Sequence, residues 1–235
     1  MYLLQTSELI PRWVIVALST LPVLIFVIAL IVGRRSDSRR QAALARVAAE
    51  LGMGFTPGDN ALLNQFGGFA FYPHRNWSQV TSVMRGMIRG SPVVLFDYHV
   101  NWGGGGSDLK TVRLTVAAFD LASKPLPAFE ARGGQNNWVT SLFGKASGDK
   151  VIDFPDDPDF MRYFNVTGDD ARAVRRLLVP EVRSFLTQRT EWLFRSNGRW
   201  LLMGRGGDKR PKPEHYRAFV EEASEAMLVL TGARV

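Results

Sequence analysis

The chain has 235 residues, no cysteine, and a formal net charge of +7. The missing thiols exclude a disulfide framework, thiolate metal sites and a cysteine nucleophile. The length beyond any anchor is enough for one large domain or two small ones with a full apolar core. The positive charge is compatible with anionic lipid or nucleic acid, and equally with a solubilising surface plus a topology signal.

Residues 1–11 read as a short tail and 12–33 as a membrane span. From Trp13 to Val32 no side chain is charged. At 1.5 Å per residue, about 20 residues cross a hydrocarbon core of about 30 Å. Pro22 is tolerable there, and Trp13 suits the headgroup level. Arg34, Arg35, Arg39, Arg40 and Arg46 follow the run, whereas Arg12 alone precedes it. The positive-inside rule then places everything after the span in the cytoplasm. A cleaved signal is the alternative, but Glu8 lies in its n-region and Gly33-Arg34-Arg35 replaces a small-residue cleavage site.

Residues 34–53 read as a basic juxtamembrane segment, with a helix over Ser36–Leu51. Leu44, Val47, Ala48 and Leu51 form its apolar stripe and Gly52 ends it. Residues 54–235 read as one α+β domain. Short strands and a helical turn at Ala61–Gln65 are expected before His74. A strand near Ser82–Ile88 turns at Arg89-Gly90-Ser91-Pro92 into Val93–Val100, and Thr111–Phe119 alternates again. With Val94, Phe96, Tyr98 and Val100 facing inward, this is an antiparallel meander with one buried face. Short strands follow at Pro127–Arg132 and Val151–Phe154, and helices at Asp169–Leu178 and Glu181–Arg189. Trp192–Arg195 and Trp200–Met203 flank Asn197-Gly198, a hairpin signal. The last helix, Pro213–Leu230, carries an apolar stripe and packs on the sheet.

That register turns Asp97 and His99 outward, beside Arg113 and Thr115, with Arg85 and Arg89 from the preceding strand. Such a face would make an anion or acidic-partner site; cross-strand charge pairing on a solvated face gives the same pattern. Asp97 and His99 could alternatively serve as acid and base of a hydrolase or transferase. Gly103–Gly106 precede a strand and lack the G-K-[ST] ending of a phosphate loop. Ser107/Lys110 and Ser147/Lys150 both spell S-x-x-K without the motifs that accompany it in serine acylases. His74, His99 and His215 match no metal spacing. Asp153, Asp156, Asp157 and Asp159, interleaved with Pro155 and Pro158, read as a turn that starts a helix. Gly204–Lys212 reads as a basic connection that could touch anionic lipid. No cofactor or metal is expected, and nucleic acid is not among the expected partners; the bilayer and an unidentified protein are.

The succession Leu95-Phe96-Asp97-Tyr98, Pro127-x-Phe129-Glu130, Ile152-Asp153-Phe154…Pro158-x-Phe160…Tyr163…Gly168-Asp169…Val174-Arg175…Leu177-Leu178-x-Pro180 resembles uncharacterised bacterial membrane-anchored proteins. The resemblance covers about residues 80–230 and the anchor. It implies one N-terminal membrane helix, a domain of unknown function and an inner-membrane location, and no active-site residue. The leading expectation is a membrane-tethered cytoplasmic interaction or accessory module, and the second is peripheral binding of anionic lipid or another polyanion.

Overall fold

The computed structural model describes residues 37–66, 78–102, 110–134, 150–205 and 210–232. The apolar run of 13–32, with Arg34 and Arg35, lies outside them, as do His74, Gly103–Gly106, Ser107, Ser147 and Lys209. Among the described residues no helix is long and apolar enough to cross a membrane. The chain divides into two compact units, Met1–Ala43 and Leu44–Val235. Of the first, residues 37–43 are helical and include Arg39 and Arg40.

The second unit opens with helix α1 over residues 44–50, which Gly52 ends at φ 68°. Leu44 and Ala48 of its expected stripe have no exposed surface. Nine described strands make one antiparallel sheet: β1 Gly54–Gly58, β2 Ser78–Ile88, β3 Ser91–Trp102, β4 Lys110–Asp120, β5 Ala128–Gly133, β6 Lys150–Val151, β7 Phe164–Gly168, β8 Trp192–Asn197 and β9 Trp200–Arg205. Their order across the sheet is β1-β2-β3-β4-β9-β8-β5-β7-β6. The other helices are α2 Ala61–Phe66, α3 Pro158–Tyr163, α4 Ala171–Leu177, α5 Pro180–Thr187 and α6 Tyr216–Leu230. The α+β architecture is the one expected from the sequence.

The β2–β3 turn obeys its residues. Ile88 pairs with Ser91, leaving Arg89 and Gly90 at φ 48° and 79°, the left-handed pair that a two-residue turn between twisted strands needs. The expected β5, α4, α5, β8–β9 hairpin and final helix are all present. The strand expected over Val151–Phe154 is confined to Lys150–Val151. Strand β7 was not expected, although Phe164 and Val166 alternate with Asn165 and Thr167.

The main departure concerns burial. The meander is covered on both faces. One face carries Val93, Leu95, Ala117, Phe119, Leu201 and Met203 under α6, whose Phe219, Ala223 and Met227 join the same core. The other carries Val80, Phe96, Tyr98, Val100, Leu114 and Val116. There Phe66 of α2 stacks on Phe96 at 5.7 Å and meets Trp200 edge-on at 5.2 Å. A sheet buried on both sides gives near-continuous apolar runs, which Val93-Val94-Leu95-Phe96 is.

Two consequences can be measured. A Cβ at Gly133 would lie 2.2 Å from the Thr190 carbonyl oxygen and 2.8 Å from its carbon, both backbone atoms. Gly133→Ala is therefore expected to cost about 2 kcal/mol by overpacking, read as a lower urea midpoint. Arg199 reaches Asp120 at 2.7 Å and holds its carboxyl below the ordinary 3.8. A lowered folded-state pKa stabilises above that value and is lost as pH falls below it. Asp120→Asn should flatten stability against pH below about pH 4 and leave the slope near pH 7 unchanged.

Candidate functional site

The polar residues singled out on the meander are separated by a bulge. Thr81 pairs with Asp97, yet Met84 pairs with Leu95, so Ser82 and Val83 together oppose Phe96. Ser82 takes φ 53° there and is buried. An extra residue reverses the alternation of everything after it. Arg85 consequently pairs with Val94 and lies on the opposite face from Asp97, where it forms an ion pair with Asp59. Arg89 sits at the hairpin tip, beyond Ser91, which is eight residues from His99 along β3, about 26 Å of strand. Its Nε donates to Ser224 Oγ of α6 at 3.4 Å. The five expected ligands thus do not form one patch.

What does assemble is a cluster on the α6 side of the sheet, beyond the apolar rows. Asp97 is fully buried, not outward-facing. Its neighbour in register, Thr115, donates from Oγ1 to Oδ1 at 2.6 Å. Arg210, between β9 and α6, brings Nη1 to 3.6 Å from Oδ2. The same Nη1 lies 3.1 Å from His99 Nε2, and Thr81 Oγ1 lies 3.5 Å from it. Guanidinium donates only, so Nε2 is the acceptor in that contact. Arg113, in register with His99, is exposed on the same face. Thr81, Thr115 and Arg210 complete the cluster. Thr115 was legible from alternation; Arg210 was legible only as part of a basic connection.

The remaining polar features have structural partners. Asp157 caps α3 by accepting from the Phe160 N–H at 3.0 Å, and Arg183 reaches Asp157 at 2.9 Å and Asp156 at 2.6 Å. The turn that starts a helix is what the acidic run forms. No group of three or more histidines and carboxylates poised for a metal occurs among the described residues. Glu130, nearly buried between β7 and β8, pairs with Arg132 and with Arg195 at 3.2 Å. His215 lies in the 3-10 turn Pro213–His215 ahead of α6, on a different segment from His99.

Two surface grooves flank the helices of the second half. One, of about 640 Å3, is polar and lined by Asp157, Asp159, Tyr163, Ser184, Thr187 and Thr190. The other, of about 570 Å3, is mostly apolar and runs between residues 124–127, α4, the start of α5 and the end of α6. Neither is lined by Asp97 or His99.

No protein-family model matches the chain. No curated protein matches it significantly. Among solved structures it is similar to the crystal structure of the mycobacterial trehalose monomycolate transport factor A, TtfA. The identity is 15%, over 85% of this chain and 94% of that one, with a TM-score of 0.56. Likeness at that identity concerns the fold alone.

Proposed function

We propose that this chain is a membrane-tethered accessory module whose folded part contacts a protein partner on the cytoplasmic side. The observation that carries the reading is the uncharged stretch Trp13–Val32 with five arginines close behind it and one ahead. The similar structure is described as a transport factor. A transport system is the first place to seek the partner. The polyanion reading loses its basis in the Arg85, Arg89 and Arg113 set, since those side chains are spread over two faces and a turn. For Asp97 to act as an acid or base, a substrate would first have to displace Arg210 from a fully buried carboxylate.

Two measurements test the reading. The absence of native cysteines permits single-cysteine labelling without background. Met87→Cys, at a position 58% exposed, should react with a membrane-impermeant maleimide only after cell lysis. Labelling in intact cells would sink the cytoplasmic placement. A crosslinked pull-down of the tagged full-length chain should recover a membrane protein at near-equal amount, and a version ending after the juxtamembrane segment should not. Recovery of the same proteins with both versions would sink the accessory role.

A further inference from the structure

The apolar groove draws most of its lining from hydrophobic side chains. Val179 is one of three exposed large hydrophobic residues among those described, at 39%. It stands at the groove mouth, with Leu126, Val182 and Leu230 forming a floor at 8%, 7% and 2% exposure. None of the lining residues is acidic, and two, Lys124 and Arg176, are basic and exposed. Arg172 and Arg175 are exposed on the same α4 helix. Concave, mainly apolar sites of about 300 to 1,000 Å3 with a few placed polar groups are the usual form of small-ligand pockets.

We propose that this groove holds one acyl chain of an anionic lipid, with the acidic headgroup against Lys124 and Arg176. Polarity and charge select that occupant. The apolar floor of Leu126, Val182 and Leu230 suits a polymethylene chain, which asks for no hydrogen-bond partner. An extended peptide would bring backbone N–H and C=O groups that need partners. Apart from the two cations, Thr231 supplies the one polar side chain in the lining. A cationic or zwitterionic amphiphile would place its positive charge beside Lys124 and Arg176, so the rim selects a net negative head. The site goes beyond the accessory-module reading and does not depend on the tether or on any protein partner.

The test uses the full-length protein in nanodiscs of phosphatidylcholine, with palmitic acid bearing a diazirine as the probe and the matching diazirine hexadecanol as its neutral counterpart. After irradiation, adducts are mapped by mass spectrometry. The acid should label residues 177–182 and 229–230, and Val179→Asp should cut that labelling by about tenfold, as expected for a charge placed in an apolar contact. The alcohol should label the same residues about fivefold less than the acid, and Lys124→Gln/Arg176→Gln should erase that difference. Both double-variant positions are exposed, so this arm reads out even if Val179→Asp impairs folding. Labelling confined to residues 13–32, or labelling at the groove that ignores all these substitutions, would overturn the proposal. So would a photoreactive residue at Val179 that crosslinks in native membranes to a protein and not to lipid.

Discussion

Replacing Arg210 by methionine is expected to lower the unfolding free energy by about 3 kcal/mol. Asp97 has no exposed surface, and its carboxylate is held by the Thr115 hydroxyl and the Arg210 guanidinium. Removing one member of a buried pair strands the other charge, which costs about 3 to 5 kcal/mol. The lower end applies because Arg210 is 17% exposed and water can partly replace it. Methionine keeps much of the arginine stem's length, so loss of packing contributes little. The double variant Asp97→Asn/Arg210→Met removes both charges while an amide oxygen still accepts from Thr115. It should recover most of the loss, to within about 1 kcal/mol of the parent. Urea unfolding followed by circular dichroism decides it. If the double variant is as unstable as Arg210→Met, the cost lies in packing or in His99, not in a stranded carboxylate.

The same residues show where the sequence was legible. Alternation placed Asp97, His99, Arg113 and Thr115 on one face, and the register of β3 against β4 has them there. It could not tell that the face lies under α6, because alternation reports which residues share a side and not which side is covered. The unbroken run Val93-Val94-Leu95-Phe96 did carry the two-sided signal. The bulge at Ser82 was invisible, since a buried serine at φ 53° has no sequence signature comparable to a turn glycine. Arg85 was therefore assigned to the wrong face. Arg210 belongs to a different segment, so its approach to Asp97 depends on long-range packing that no local pattern encodes. By contrast Gly90, Asn197-Gly198 and the stripe of α6 are local features, and each lies where its pattern put it.

The second large effect concerns Trp192, where alanine and phenylalanine should differ sharply. The indole is fully buried and stacks on Phe219 of α6 at 5.3 Å, with Phe194 at 6.2 Å and the Arg205 guanidinium 5.3 Å from the ring. It thus fastens β8 and β9 to α6 across the larger core. Truncation to alanine leaves a cavity between a hydrogen-bonded sheet and a helix anchored along its length, neither of which can collapse freely. The expected loss is about 4 kcal/mol, from the transfer and cavity terms together. Phenylalanine keeps a ring on Phe219 and beneath Arg205, and gives up only part of the volume. Among the described residues the Trp192 Nε1–H has no hydrogen-bond partner, so phenylalanine sacrifices no bond and removes a buried donor. Trp192→Phe is accordingly expected to cost about 1 kcal/mol or less. Paired urea titrations of the two variants, read by circular dichroism, measure the gap. Equal losses would mean that the N–H has a partner and that the polar end of Trp192 matters as much as its ring.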